Sequence, residues 1–242
     1  MPPYEQLRGI YVSGLREPTD MVACTTNRLL YVSDKLEGCV WQVTTGGKVD
    51  YRLPTWSPTR RKASAVFPVS LSVRHGRLVV VEVGNITIYD PHDNKAGEIR
   101  FPDSVSLHHA VENDRRSVVV ALTDSGSSTI REMRLDGGGK WSLVREWNPK
   151  SPGISRPLYM AWDTLGLLHV AIHNSRKVLV LDNTLTEVKS ARLARRSVAS
   201  RLCILTRRQK LFLVVDSGAG VSVYDGVFPA LKQPKVRRNV TL

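Results

Sequence analysis

Residues 20–53 read DMVACTTNRLLYVSDKLEGCVWQVTTGGKVDYRL. Four short runs rich in apolar and β-branched residues, DMVAC, LLYVSD, CVWQV and VDYRL, are separated by the polar turns TTNR, KLEG and TTGGK. Such runs bounded by Gly, Asn and Thr read as four strands of one antiparallel meander, because hairpin turns need residues that tolerate positive backbone angles. The same unit recurs along the chain. VSLSV, LVVVE, NITIYD and EIRF follow in residues 69–101, then SLHHAV, SVVVAL, TIREMRL and KWSLVREW in 106–147. LYMAW, LLHVAI, KVLVLD and TEVKSARL occupy 158–193, and RLCIL, KLFLVV and GVSVYD occupy 201–225.

The first strands begin near Thr19, Val69, Val105, Leu158 and Arg201. Their mean spacing of about 46 residues is that of the blades of a β-propeller. A four-strand unit with two apolar faces buries both only by stacking on like units, so the expected architecture is an all-β propeller. Five four-stranded blades are expected, with six as the alternative count. The fifth unit lacks a fourth strand, and Leu7 to Val12 is an orphan strand that is expected to complete the last blade and close the ring. One domain over residues 4–228 and a basic tail over 229–242 follow. The tail carries Lys232, Lys235, Arg237 and Arg238.

An apolar strand ending in an acid, a polar turn, a strand such as CVWQV and then glycine resembles the NHL repeat. The pattern at YVSD, residues 31–34, returns as LVVVE, VVALTD, LLHVAIHN and LFLVVD. The resemblance implies a propeller that binds protein or single-stranded RNA on one face. It also implies that the residues ending these strands, Asp34, Glu82, Asp124, Asn174 and Asp216, belong to the repeat scaffold. Asp and Asn accept hydrogen bonds from turn N–H groups, which gives the same reading on physical grounds: structural turn caps.

The chain carries 35 basic and 22 acidic residues, a net charge of +13. That excess favours a polyanionic or acidic partner and is silent on fold. It is concentrated in two acid-free stretches, Lys189–Lys210 and Pro54–Val81. Cys24, Cys39 and Cys203 lie in apolar runs with no zinc-knuckle spacing, and read as buried free thiols of a reducing, cytoplasmic compartment. No apolar run reaches the roughly 18 residues of a membrane span, so membrane insertion is not expected. The N-terminal residues have neither the basic front nor the apolar region of a secretory signal.

Turns between second and third strands share one end of the sheets with the inter-blade links. That end is expected to carry Lys35, Glu37, Asn85, Asp124, Ser127, Asn174, Arg176 and Lys177. It also takes the insertions Pro54–Val66 and Asn148–Pro157, with Trp56, Arg60, Arg61, Lys62, Trp147, Lys150 and Arg156 in or beside them. Long loops on a rigid scaffold are favoured binding elements. Aromatic residues among cations suit either base stacking beside phosphate or the pinning of the loops. The other end carries Arg28, Arg74, Arg77, Arg115, Arg116, Arg207, Arg208 and Lys210.

Related propellers include a metal-dependent lyase and lactonases, which makes His108, His169 and His173, or Glu82, Asp124 and Asn174 around calcium, the candidate ligands. His75 and His92 fall on turns. No GxSxG, HExxH or phosphate-loop pattern is present, and DGGG at 136–139 reads as a hairpin. The expectation is a monomeric, noncatalytic recognition scaffold with no cofactor, binding a protein or peptide on its loop-rich face. Single-stranded RNA binding is the first alternative, and a metal-dependent lyase or lactonase-like enzyme the second.

Overall fold

A computed structural model describes residues 14–44, 49–54, 69–92, 94–149, 156–173, 177–192, 201–207, 210–216 and 221–225. The chain divides into two compact units, Met1–Glu98 and Ile99–Leu242.

Unit 1 holds two antiparallel meanders. The first comprises β1 (Pro18–Cys24), β2 (Leu29–Asp34), β3 (Cys39–Thr44) and β4 (Val49–Pro54), in that order across the sheet. The second comprises β5 (Ser70–Arg74), β6 (Arg77–Glu82), β7 (Asn85–Tyr89) and β8 (Lys95–Arg100), with the division between units falling inside β8. The middle strands are apolar on both faces because both faces are covered. Val79, Val80, Val81 and Ile86 are fully buried. Cys24, Tyr31 and Val40 of the first sheet pack on Leu71, Leu78, Val80 and Tyr89 of the second. The other face of the first sheet buries Val32, Cys39, Trp41 and Val43, with Leu15 packed on it.

Unit 2 repeats the pattern. Its first sheet is β9 (Val105–Glu112), β10 (Val118–Asp124), β11 (Ser127–Leu135) and β12 (Trp141–Trp147). Its second is β13 (Arg156–Trp162), β14 (Leu168–His173), β15 (Lys177–Leu181) and β16 (Glu187–Arg192). Val119, Ala121 and Ile130 pack on Met160, Leu168, Val170 and Leu179 between them. The third sheet has three strands, β17 (Arg201–Arg207), β18 (Lys210–Asp216) and β19 (Val221–Asp225).

Among the described residues the structure shows four four-stranded blades, not five or six, which corrects the expected count. The fifth unit contributes three strands among the described residues, β17 to β19, in line with the absence of a fourth apolar run after GVSVYD. The proposed closing strand, Leu7 to Val12, and the tail 229–242 lie outside the described residues. A second correction concerns Cys203. Cys24 and Cys39 are buried free thiols, whereas Cys203 is exposed. Leu202 is buried beside it, and strand alternation turns the next side chain to the opposite face.

Adjacent sheets within each unit are joined by a device at a β-bulge. In β1 the register skips Thr19, and in β9 it skips His108. A bulge adds a residue and re-aims its neighbours. The skipped residue bonds a hydroxyl on the next strand: Thr19 Oγ1 lies 2.8 Å from Ser33 Oγ, and His108 Nε2 2.9 Å from Thr123 Oγ1. The residue after it reaches across to the first strand of the following sheet. Asp20 Oδ2 accepts the Leu71 N–H at 2.8 Å, and His109 Nδ1 accepts the Met160 N–H at 3.4 Å. The His109 ring also lies against Tyr159, with centroids 3.8 Å apart. These contacts satisfy main-chain donors on the outer edge of a first strand, which the sheet itself leaves unmatched. Asp20→Ala is expected to lower stability by about 1–3 kcal/mol by orphaning the buried Leu71 N–H; urea unfolding checks this, and an unchanged midpoint would count against the joint.

Candidate interaction surface

Asp20 and Leu71 sit near the starts of β1 and β5, so their bond fixes both starts at one end of unit 1. The β2–β3 and β6–β7 turns occupy that same end. Its framework is Asp34, the last residue of β2, whose carboxylate is buried. It accepts the N–H groups of Arg16, Glu17 and Glu37 at 2.8, 3.2 and 3.1 Å and the Trp41 indole N–H at 3.3 Å. Burial alone would raise this carboxyl, but those four donors outweigh it and hold it below its ordinary value. Glu82 ends β6 in the same way. Its carboxylate accepts from Asn85 Nδ2 at 3.1 Å, and Thr87 Oγ1 lies 3.5 Å away.

Around this framework three apolar side chains are exposed beside charged ones. Leu36 in the β2–β3 turn is 58% exposed, Val83 in the β6–β7 turn 65%, and Val69 at the entry to β5 40%. Two described cations here are matched by acids: Arg16 pairs with Glu37 at 3.0 Å and Lys35 with Glu17 at 3.3 Å. Scattered apolar residues on a surface need no explanation, but several at one end among neutralised charges form a patch suited to a partner.

The described β10–β11 turn at the corresponding end of unit 2 is polar. Ser125 and Gly126, with φ of +48° and +83°, turn β10 into β11 as a tight two-residue hairpin. Asp124 meets Arg131 at 3.7 Å, and Arg131 meets Glu146 at 2.8 Å. Thr123 relays from His108 to Ser128 Oγ, 2.9 Å away. Trp147 is not a loop residue. It ends β12 opposite Ile130 and packs partly buried on the unit's core. Arg156 opens β13, Asp216 closes β18, and Lys177 opens β15 with its side chain exposed. Trp56, Arg60, Arg61, Lys62, Lys150, Asn174 and Arg176 lie outside the described residues.

The candidate histidine ligands are engaged locally. His169 is fully buried and bonds Asp163 at 3.0 Å, while His108 and His109 serve the joint described above. His173 ends β14. Among the described residues no three His, Cys, Asp or Glu side chains gather as a metal site.

Of the caps expected at the ends of second strands, Asp34 accepts turn N–H groups, and the sequence pattern misses a second set at the other end. Asp90, Asn113, Asp136, Asp163 and Asp182 each open a turn in which Oδ1 accepts the N–H groups two and four residues on, all within 2.8–3.0 Å. The fourth residue of such turns has positive φ, as in Arg116, Gly139, Gly166 and Leu185. The signal is present in DGGG and DTLG, where glycine stands three residues after the aspartate. It is hidden in NDRR and DNTL, where arginine and leucine take that place at a cost of about 1 kcal/mol. Leu185 offsets its strain by burying its side chain in the unit 2 core.

No family model matches the chain, and no curated protein matches it. Solved structures do. A streptogramin B lyase aligns over 96% of this chain and 72% of its own, with TM-score 0.65 and 12% identity. The β-propeller domain of Cps50 (Swd1) from Myceliophteria thermophila aligns over 92% and 71%, with TM-score 0.63 and 13% identity. The fold is a β-propeller. The WD40 domain of Pan2 from Neurospora crassa is also similar, over 93% of this propeller and 65% of that chain, with TM-score 0.59 and 13% identity. Identities this low establish the propeller fold alone. Among the described residues no helix is long and apolar enough to cross a membrane.

Proposed function

We propose that this propeller is a recognition scaffold that binds a protein or peptide at the end of unit 1 carrying Leu36, Val69 and Val83. The observation that carries the reading is the exposure of those three apolar side chains beside cations already paired with Glu17 and Glu37. Protein interfaces are anchored by apolar groups that leave water, with charge at the rim. A polyanion would instead need cations without such acids beside them. The local framework supports the role: Asp34 and Glu82 hold both turns to the sheet, so the apolar side chains are presented on a fixed base. The YVSD-type repeat is read as NHL-like, a family resemblance that fits a noncatalytic propeller.

The test is selection of displayed random peptides on the intact chain, followed by affinity measurement on the enriched sequences. Leu36→Glu with Val83→Glu is expected to weaken those peptides at least tenfold, because two desolvated apolar contacts are replaced by charges. The melting temperature should stay unchanged, since both side chains are exposed. Failure to enrich any peptide, or equal affinity for the double variant, would remove the proposal.

A further inference from the structure

The turns opened by Asp90, Asn113, Asp136, Asp163 and Asp182 share one geometry, in which Oδ1 of the first residue accepts the N–H groups two and four residues on. They differ in the residue that directly follows, which is Pro91, Asp114, Gly137, Thr164 or Asn183. Glycine stands there only after Asp136, in the β11–β12 turn, and of the five capping residues Asp136 alone is exposed. Asp163, by contrast, is buried and bonded to His169 at 3.0 Å.

Three features of the Asp136 turn favour attack by the main chain on the side-chain carboxyl. Oδ1 accepts the Gly138 N–H at 2.9 Å and the Lys140 N–H at 2.8 Å, which folds the carboxyl back over the intervening Gly137 nitrogen and holds it beside that nucleophile. The same two donors stand where negative charge grows on Oδ1 as Cγ becomes tetrahedral, the arrangement of an oxyanion hole. The Gly137 N–H has no acceptor among the described residues, and glycine has no side chain to obstruct its own nitrogen.

We infer that Asp136 is a site of spontaneous conversion to isoaspartate. The Gly137 nitrogen bonds to Asp136 Cγ and the Cγ–Oδ2 bond breaks. The amide proton and Oδ2, protonated as a hydroxyl, leave together as water, and a five-membered succinimide remains. Water then adds to one of the two ring carbonyls. Opening at Cγ returns aspartate, whereas opening at the main-chain carbonyl leaves isoaspartate, with the chain running through Cβ and Cγ and the carboxylate carried on Cα. No electrons are transferred, and water is the only other reactant. The product has an extra methylene in the main chain and no Oδ1 over Gly138 and Lys140, so the Leu135–Trp141 pairing that this turn closes is loosened.

The experiment is ageing of the full chain at physiological temperature and mildly acid pH, folded and in urea. Isoaspartate is read site by site in the digest by electron-transfer mass spectrometry. Its total is read by methyl transfer from labelled S-adenosylmethionine with an isoaspartyl methyltransferase. In the folded chain it should form at Asp136 about tenfold faster than at Asp163 or Asp182, and about tenfold faster than at Asp136 in urea, where the two donors are lost. Asp225–Gly226, the chain's other Asp–Gly step, supplies the rate of the bare dipeptide in urea. Gly137→Ala should slow the conversion about tenfold by crowding the attacking nitrogen. Its melting temperature should be parental, since Gly137 lies outside the left-handed region and a Cβ built there meets nothing within 4 Å. A rate at Asp136 no greater folded than in urea, equal formation at Asp163 or Asp182, or a parental rate in Gly137→Ala would each overturn the inference. The turn belongs to unit 2, so neither result bears on the peptide reading at the Leu36–Val83 end.

Discussion

Replacing His169 by alanine is expected to destabilise the chain by about 4 kcal/mol. The His169 and Asp163 side chains are both fully buried and 3.0 Å apart. Removing the imidazole leaves a cavity and a buried Asp163 oxygen without its partner, which together cost about 3–5 kcal/mol. Asp163→Asn separates the two duties of the aspartate. An amide oxygen can still receive the Leu165 and Leu167 N–H groups, as Asn113 does in the equivalent turn, so this change should cost only about 1–2 kcal/mol. Burial pushes the Asp163 carboxyl up, but the bond from His169, the Leu167 N–H, the His169 charge and the Leu165 N–H together leave it below its ordinary value. A carboxyl depressed on folding contributes stability that is complete above the ordinary carboxylate range and is lost as pH falls through the folded value. Urea midpoints of the three proteins across acid pH measure both effects. Parental midpoints in both variants would show that the His169–Asp163 contact is immaterial.

Asp34→Ala is expected to cost about 3 kcal/mol. Three main-chain donors and the Trp41 indole lose a charged acceptor at once, and each buried donor left unmatched is worth about 1–3 kcal/mol, with part recovered as water enters the turn. The loss should appear first in unit 1, as faster amide exchange at Arg16, Glu17 and Glu37. Since the Asp34 carboxyl is also held low, Asp34→Asn should flatten the acid limb of the stability curve more than it lowers the plateau. Parental exchange at all three amides in Asp34→Ala would refute the role given to this carboxylate.

Much of the fold was legible because each element is written in short-range terms. LLYVSD and LVVVE are continuous apolar runs since middle strands are covered on both faces, and HG and SG mark turns that need two positive φ angles. The three strands of the fifth unit were legible too, since no fourth apolar run follows GVSVYD, whereas the period of a repeat does not record which units count as complete blades. The bulges at Thr19 and His108 were not legible either. A skipped residue has no preferred side chain, and its existence depends on the sheet next door. For the proposed surface, the sequence reading chose the same end through Lys35 and Glu37 but weighted charge. The pairing of Lys35 with Glu17 and of Glu37 with Arg16 needs coordinates, as does the exposure of Leu36 and Val83, which look like core residues in a string.

The joint between neighbouring sheets grips the main chain, not a side chain. Asp20 and His109 differ in chemistry, and Leu71 and Met160 offer only an amide that every residue except proline possesses. The receiving strand can therefore drift freely in sequence, and a copied sheet would be accepted by its predecessor without any matching change. A lineage built on such joints can gain or lose whole repeats in single steps.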